Sequence, residues 1–129
     1  MITPAMNPRH GVLLIVDDDE LTRHALARLM GRHGWDVEEA ATIAEGIDHL
    51  GLEHGEPECL ILDLMLPDGD GETVLRRVRE NHLQTRVVVT SGTGDLSRLE
   101  SVRKLGADAI LRKPIDVLEL CKSCQPPGS

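Results

Sequence analysis

Short runs of consecutive apolar residues, separated by segments with helical period, most constrain how this chain can fold. The first run is Val12-Leu13-Leu14-Ile15-Val16, and others are Cys59-Leu60-Ile61-Leu62, Val87-Val88-Val89 and the weaker Ala109-Ile110-Leu111. Runs that are continuous rather than alternating indicate strands covered on both faces, as in a parallel sheet. Trp35-Asp36-Val37-Glu38 alternates instead, so we expect an edge strand with one wetter face.

The segments between these runs have the pattern of helices. Thr42-Ile43-Ala44-Glu45 matches a capping box, and Ile43, Ile47 and Leu50 then share one face of the predicted helix. Apolar residues at helical spacing predict four more helices. Their apolar residues are Leu21, Ala25, Leu29 and Met30; Val74, Leu75 and Val78; Leu96, Leu99 and Val102; and Val117, Leu120, Cys121 and Cys124. Asp95 and Asp116 precede the last two of these helices and are expected to cap them.

The order of predicted elements is a strand followed by a helix, five times over. Right-handed crossovers turn this order into an α/β, doubly wound three-layer sandwich with a five-stranded parallel sheet. The common strand order for five strands is 2-1-3-4-5, the flavodoxin-like arrangement, which leaves the Trp35 strand at an edge. The 129 residues suit one domain, which we expect at residues 11–124. Residues 1–10 and 125–129 are expected to be flexible ends.

Composition and charge exclude several classes of function. A formal net charge of −8 argues against a nucleic-acid-binding surface, which needs a basic stripe. The longest apolar runs are too short to span a membrane, and the first ten residues do not resemble a signal peptide. The three cysteines are an odd number in a chain that needs no disulfides, so we expect reduced thiols and a cytoplasmic protein. Cys121-x-x-Cys124 is interpreted as packing rather than as a redox or zinc motif.

Polar residues follow four of the predicted strands. The strands are followed by Asp17-Asp18-Asp19-Glu20, by Asp63, by Thr90-Ser91-Gly92-Thr93 and by Lys113-Pro114. In a sheet of this kind, ligands bind outside the carboxyl ends of the strands. The sequence therefore predicts that carboxylates, a hydroxyl and an ammonium group meet at one edge.

The physics of such a cluster restricts its chemistry. Two unit charges about 4 Å apart repel by about 4 kcal/mol at an effective dielectric constant near 20. A hard divalent cation relieves the repulsion between Asp17, Asp18 and Asp63, and oxygen ligands favour Mg²⁺, with Mn²⁺ as a substitute. Lys113 adds a fixed positive charge. A carboxylate beside a cation, a lysine and a hydroxyl is equipped to accept a phosphoryl group, because the positive charges neutralise the phosphoryl oxygens during attack.

These residues resemble the receiver (CheY-like) domain of bacterial two-component response regulators, over about residues 11–124. Each motif is weak alone, but together and at the family's spacing they are specific. The matching motifs are Val16-Asp17-Asp18-Asp19, Leu62-Asp63-Leu64-Met65-Leu66-Pro67, Asp70-Gly71, Ser91-Gly92, Gly106-Ala107-Asp108 and Lys113-Pro114.

The resemblance implies a role for each residue of the acidic cluster. Asp63 would be the phosphoacceptor. Asp18 would bind Mg²⁺ directly and Asp17 would assist through water, while Asp63 and the backbone carbonyl of Met65 would complete the protein ligands. Lys113 would pair first with the acceptor and then with the phosphoryl group.

The resemblance also assigns the switch and the surrounding loops. Ser91 would be the switch hydroxyl, with Thr90 as the alternative if the strand register slips by one residue, and Gly92 would leave space beside it. The family commonly has an aromatic residue at the position of Ile110, so the usual ring-based readout is not expected here. Structural roles beside the site would fall to Pro67, Gly71 and Pro114.

The implied function is a phosphoacceptor signalling switch rather than a turnover enzyme. A histidine kinase or histidine phosphotransfer protein would dock near the first helix and donate a phosphoryl group to Asp63. The phosphorylated state would shift a two-state equilibrium in the Ser91 loop and the following helix. A phosphorylation-dependent homodimer, a fused output domain and a separate downstream protein are left open, while direct binding to nucleic acid or membrane is not expected.

Two alternatives belong to other functional classes. A phosphatase of the haloacid dehalogenase type would use Asp17-Asp18-Asp19 as its Asp-x-Asp motif, with Ser91 and Lys113 as further motifs. That class needs an acidic pair after the lysine, and here only Asp116 and Glu119 follow. A pseudo-receiver would use the same fold as a constitutive docking or dimerisation module, which the aliphatic Ile110 keeps open.

Overall fold

A five-stranded parallel sheet forms the middle layer of the molecule. The computed structural model describes residues 11–51 and 55–125; the predicted flexible ends at 1–10 and 125–129 lie outside the described residues, except for Gln125. The elements are β1 (Val12–Val16), α1 (Glu20–Arg32), β2 (Asp36–Ala40), α2 (Ile43–His49), β3 (Cys59–Asp63), β4 (Met65–Leu66), β5 (Gly69–Asp70), α3 (Glu72–Glu80), β6 (Arg86–Ser91), α4 (Leu96–Lys104), β7 (Ala109–Arg112) and α5 (Val117–Cys124).

The strand order of the main sheet is β2-β1-β3-β6-β7, with all four pairings parallel. This confirms the predicted 2-1-3-4-5 order, because β6 and β7 are the fourth and fifth strands of this sheet. The short antiparallel hairpin β4–β5 was not predicted. Its two-residue strands are too brief to show a period in the sequence.

Burial along the strands follows the apolar runs. All five residues of β3 are buried, as are Leu13–Val16 of β1 and residues 87–91 of β6. The edge strand β2 is buried only at Ala40, as its alternating sequence predicts. Trp35, which directly precedes β2, is also buried.

Helices cover the sheet on both faces and divide the core into two aliphatic layers. One layer lies under α2, α3 and α4, and the other under α1 and α5. The first includes Leu14, Val16, Ile43, Leu60, Leu62, Val74, Leu75, Val78, Val87, Val89 and Val102. The second includes Leu13, Ile15, Leu26, Met30, Trp35, Cys59, Ile61, Val88, Leu111, Leu120 and Cys124.

Four helices begin with a side-chain cap, and the caps of α2, α4 and α5 were predicted from the sequence. The side chains of Asp19, Thr42, Asp95 and Asp116 accept hydrogen bonds from backbone N–H groups in the first turns of α1, α2, α4 and α5. Such bonds satisfy backbone donors that have no partner within the helix. The caps therefore start each helix immediately beyond the carboxyl end of a strand or its loop.

Some of the apolar residues at helical spacing are exposed. Leu21 is 83% exposed, Leu96 is 77% exposed, and Ala25 and Val117 also face solvent. Three of these four lie in the first turn of a helix, which projects past the edge of the sheet, so no layer covers them. Val102, by contrast, lies over the sheet and is buried. In the described part of the chain, no helix combines the length and apolar character needed to cross a membrane.

Candidate functional site

Three carboxylates converge at the carboxyl ends of β1 and β3. Asp17 follows the last residue of β1, Asp63 is the last residue of β3, and the register pairs Val16 with Leu62. One carboxylate oxygen from each of Asp17, Asp18 and Asp63 lies within 4.8 Å of the others. Asp17 and Asp63 are buried while Asp18 is exposed, so the cluster is open to solvent on one side.

Oxygen ligands of this kind fit a hard divalent cation. Three carboxylate oxygens close together suit Mg²⁺, which is usually bound through one or two carboxylates together with waters and phosphate oxygens. The donor set contains no thiol or imidazole, so it does not favour zinc. The predicted grouping of Asp17, Asp18 and Asp63 is therefore present, and its residues could hold the divalent cation predicted from the sequence.

Asp17 carries the electrostatic cost of this arrangement. Burial raises the pKa of its carboxyl, while the hydrogen bond from the Asp19 N–H and the nearby Lys113 oppose the rise. The neighbouring Asp63 and Asp18 carboxylates raise it further. The Asp19 N–H lies 2.9 Å from Asp17 Oδ1. The protein thus offsets only part of the cost of burying the negative charge of Asp17, and a bound cation would offset the rest.

Lys113 brings one positive charge to the cluster from the end of β7. Its Nζ lies 3.0 Å from Asp63 Oδ2 and 3.8 Å from Asp17 Oδ2. Burial alone would lower the pKa of Lys113, but the hydrogen bond to Asp63 and the surrounding carboxylates outweigh it, and the pKa is raised. The ammonium group therefore stays charged at neutral pH. The backbone N–H of Lys113 donates to the Ser91 carbonyl oxygen at 2.9 Å.

The hairpin that follows Asp63 lies against the same carboxylate. Met65 N–H donates to Asp63 Oδ1 at 3.1 Å, while the Met65 side chain is 73% exposed. Together with Lys113 on Oδ2, this contact fixes the orientation of the Asp63 carboxylate. The backbone of Met65 is thus adjacent to the predicted metal site, whereas its side chain faces solvent.

Glycine is required at position 71 by a close approach of backbone. A Cβ at Gly71 would lie 2.2 Å from the Asp63 carbonyl oxygen and 3.0 Å from Leu64 Cα. The Gly71 N–H donates to the Leu64 carbonyl oxygen at 2.8 Å, and this bond holds the start of α3 next to the end of β3. Pro67 is exposed in the turn of the hairpin, and Pro114 follows Lys113 through a cis peptide bond.

Two hydroxyl residues end β6 beside Asp63. Thr90 is the Cα partner of Asp63, and Ser91 lies one residue further along. Both are buried, and Ser91 Oγ accepts a hydrogen bond from the Thr93 N–H at 3.1 Å. A Cβ at Gly92 would meet no heavy atom within 4 Å, so the space beside Ser91 is open. Because both hydroxyl residues are buried at the end of β6, Thr90 remains the alternative to Ser91 as the switch hydroxyl.

Arg23 is a residue near the site that the sequence analysis missed. Its Nη1 donates to the Asp17 carbonyl at 2.9 Å, and its Nε donates to Glu39 Oε1 at 3.1 Å. The arginine thus connects the backbone of the acidic segment with the edge strand β2. Its position on the predicted helix gave no indication of these contacts, because a charged residue on α1 fits a solvent-facing side of the helix equally well.

The contacts of two aspartates in the hairpin were also missed, although Asp70 was named in the Asp70-Gly71 motif. Asp68 accepts from the N–H groups of Ile43 and Ala44 at 2.8 and 3.1 Å, and the Ile43 bond is the main cause that lowers the pKa of Asp68. Asp70 accepts from the Glu72 N–H at 2.9 Å. The hairpin beside Asp63 is therefore anchored to the starts of both α2 and α3. The only sequence signal was an aspartate next to glycine, which is typical of turns in general.

The acidic residues after Lys113 do not join the site. Asp116 caps α5 and accepts from the Glu119 N–H at 3.2 Å. The acidic pair that a haloacid dehalogenase phosphatase needs is thus replaced by a helix cap. This geometry gives no support to the phosphatase alternative.

Comparisons with known proteins agree with this geometry. The model of the response regulator receiver domain family matches residues 13–125. Acid tolerance regulatory protein ActR of Rhizobium meliloti (strain 1021) is 38% identical over 117 residues, which cover 90% of this chain and 59% of ActR. Photosynthetic apparatus regulatory protein RegA of Rhodobacter capsulatus is 34% identical over 108 residues, covering 84% of this chain and 58% of RegA. The chain thus spans less than two thirds of these relatives' length.

Solved structures show the same fold. A response regulator protein from Burkholderia pseudomallei, described with a phosphorylated aspartic acid, a calcium ion and citrate, has a TM-score of 0.82 and 26% identity, covering 90% of this chain and 67% of that chain. A CheY-like response regulator receiver domain protein from Methanospirillum hungatei JF-1 has a TM-score of 0.80 and 27% identity, covering 87% of this chain and 88% of that one. With the family model, the relatives and these structures in agreement, the chain belongs to the response regulator receiver domain family.

Proposed function

We propose that Asp63 accepts a phosphoryl group from a histidine kinase or a histidine phosphotransfer protein, in a reaction that requires Mg²⁺. Phosphorylation then changes the conformation of the Ser91 loop and α4 and so regulates an output. The chain catalyses its own phosphorylation and dephosphorylation and has no separate substrate to turn over. Membership of the receiver family and the clustered carboxylates support this proposal.

In this proposal the metal is held by Asp18, by Asp17 through water, by Asp63 and by the Met65 carbonyl, with Mn²⁺ as a substitute. A bound Mg²⁺ supplies positive charge that neutralises the phosphoryl oxygens during transfer. The residues that would hold it fit because three carboxylate oxygens already lie within 4.8 Å of one another.

The chain's own residues position the reacting groups. An oxygen of Asp63 attacks phosphorus, so an O–P bond forms as the N–P bond of the donor histidine breaks, and the histidine nitrogen keeps the bonding electron pair. Lys113, which donates to Asp63 Oδ2, then turns its ammonium group to a phosphoryl oxygen. The Ser91 hydroxyl, with Thr90 as the alternative, donates to another phosphoryl oxygen. Gly92 leaves room for that movement.

One observation carries the proposal: Asp63 lies among the other two carboxylates while its own oxygens are held by Lys113 Nζ and the Met65 N–H. A carboxylate in this setting is oriented and within reach of a cation. The Burkholderia pseudomallei neighbour, whose description includes a phosphorylated aspartic acid, supports the same chemistry here.

The donor would dock on apolar side chains around this edge. The large exposed apolar residues of the described chain are in the hairpin after β3 or in the first turns of helices that begin beyond this edge: Leu21, Met65, Leu96, Val117 and Leu118. A donor that presents its histidine to Asp63 must cover this surface. The apolar side chains near α1 and α5 would then supply contact area, as protein interfaces generally require.

The limits and surroundings of the domain are also proposals. We take residues 11–124 as the receiver unit, with ends at 1–10 and 125–129 that are not part of its core. The three free cysteines and the formal net charge of −8 support a cytoplasmic protein without direct nucleic-acid or membrane partners. The output is exerted through a downstream protein or a fused domain, and phosphorylation-dependent homodimers are one route to it.

Labelling by a small phosphodonor tests the acceptor. Acetyl phosphate with Mg²⁺ should add one phosphoryl group to the wild-type chain, measured by intact mass, and a chelator should prevent it. Asp63→Asn should abolish the labelling, because an amide cannot attack phosphorus. Asp95→Asn, in the cap of α4, is the matched control and should label normally. Acid-labile labelling that persists in Asp63→Asn would exclude Asp63 as the acceptor.

A further inference from the structure

Helix α4 is attached to the core less firmly than its neighbour α3. Both helices have nine residues and cover the same layer of the core. Three residues of α3 are buried, Val74, Leu75 and Val78, whereas α4 has only Val102. A helix with so little buried apolar surface can change position at a lower cost than one that is packed along its length.

An ion pair connects α4 with the hairpin beside the phosphoacceptor. Arg98 Nη2, near the start of α4, lies 2.8 Å from Asp70 Oδ1. Asp70 is the Cα partner of Met65 across the hairpin, and Met65 N–H donates to Asp63 Oδ1. Asp63 and Arg98 are thus joined through the hairpin, by one hydrogen bond, one strand pairing and one ion pair.

Arg98 is only partly satisfied in this arrangement. Its Nε is buried and has no hydrogen-bond partner among the described residues. A buried donor without a partner costs free energy. Other positions of the Arg98 side chain that give Nε a partner are therefore close in energy to this one. An element that is weakly packed and held by a half-satisfied side chain has the properties of a two-state element.

The usual aromatic readout is missing from this chain. Ile110 occupies the position and packs, partly buried, against the layer that contains Val102. It has no ring that could move between an exposed and a buried position. The loop from Gly92 to Asp95 joins Ser91 directly to α4, so a second route from the site to α4 must run through contacts outside that loop.

We propose that the Asp70–Arg98 ion pair transmits the state of the Asp63 site to α4. Arg98 acts as a positioning residue, and the proposal rests on the phosphoacceptor function given above. Phosphorylation or its mimic at Asp63 displaces the hairpin through Met65, and Asp70 carries this displacement to Arg98. Without the pair, the hairpin still responds, but α4 no longer follows the hairpin and responds only through the Ser91 loop.

Amide NMR of the full chain tests this coupling, with Mg²⁺ and beryllofluoride as the phosphoryl mimic. In the wild type, the amides of Met65 and Leu66 and those of Leu99 and Val102 should all shift. In Arg98→Gln, the hairpin shifts should persist at their wild-type size while the α4 shifts become clearly smaller, because the ion pair no longer connects the two elements. Asp70→Asn should behave alike, and Arg98→Lys, which keeps the charge, should restore part of the response.

Arg103→Gln is the matched control, because Arg103 is an exposed arginine in the last turn of the same helix. It should leave both sets of shifts unchanged. If the α4 amides of Arg98→Gln and Asp70→Asn shift as in the wild type, the proposed coupling is wrong. If the wild-type hairpin amides do not shift at all, the phosphoacceptor function itself fails, which is a different outcome.

Discussion

The two ends of the sheet treat their charges in opposite ways. At the carboxyl end, Asp17, Asp18 and Asp63 face the single ammonium group of Lys113. At the amino end, charged groups are matched by protein partners. The carboxyl end is therefore the end at which negative charge is left to be compensated by a bound ion, which agrees with the site proposed above.

The amino end is organised around Arg79 and Asp108. Arg79 donates to the carbonyl oxygens of Gly106 and Thr85 at 2.6 and 3.0 Å and to Asp108 Oδ2 at 2.9 Å. Asp108 Oδ2 also accepts from the Val87 N–H at 2.7 Å. This network connects the end of α3 with the starts of β6 and β7. Its charges therefore serve stability and need no added ion.

The largest effect is expected from breaking the amino-end network. Arg79→Gln should lower the free energy of unfolding by about 2 kcal/mol, because it removes charged hydrogen bonds and leaves partly buried acceptors unpaired. Urea unfolding with and without Mg²⁺ measures the loss, which should be equal in both conditions. Arg77→Gln, an exposed arginine of the same helix, is the control and should change stability little. A loss that Mg²⁺ repairs would contradict the separation of the two ends.

A smaller effect of opposite sign is expected at the carboxyl end. Asp17→Asn should raise the free energy of unfolding by about 1 kcal/mol without Mg²⁺, because it removes a buried charge that the protein compensates only in part. Saturating Mg²⁺ should erase this advantage, since the metal stabilises the wild type by binding the folded state. Asp108→Asn is the matched control at the other end, and it should lower stability. Destabilisation by Asp17→Asn in metal-free buffer would be the contrary result.

The smallest effect at neutral pH is the pH dependence of Mg²⁺ binding. The pKa of Asp17 is raised above its ordinary 3.8, chiefly by burial, so the fold holds this proton more tightly than the unfolded chain does. The resulting contribution to metal-free stability is full below pH 3.8 and is lost as pH rises through the folded pKa.

Mg²⁺ must displace that proton, so its affinity should fall by about tenfold per pH unit below the folded pKa of Asp17 and level off above it. Titration with Mg²⁺ at stepped pH measures this dependence. Asp17→Asn should flatten the part of the profile that Asp17 causes. A profile that the substitution leaves unchanged would assign the proton to another group.

The strand pattern and the acidic edge could be predicted because both rest on local sequence. The continuous apolar runs of β1, β3 and β6 are buried on both faces, whereas the weaker run of β7 is only partly buried. Residues just beyond parallel strands meet at one edge whatever the loops do. Leu21 and Leu96 keep the helical spacing but are exposed, because helical spacing does not tell where the covering layer ends. Arg23 and Arg98 were missed because their partners are distant in sequence, and an arginine on a helix has the same local pattern whether solvated or paired.

The position of Trp35 has an optical consequence. It is the only aromatic residue of the chain, and it is buried beside the amino ends of the strands, in the same layer as Cys124. Its intrinsic fluorescence should report global denaturation and remain silent when a cation or a phosphoryl mimic occupies the opposite end. Spectroscopy of signalling by this chain therefore requires a reporter introduced near the hairpin, and the exposed side chain of Met65 offers a place for it.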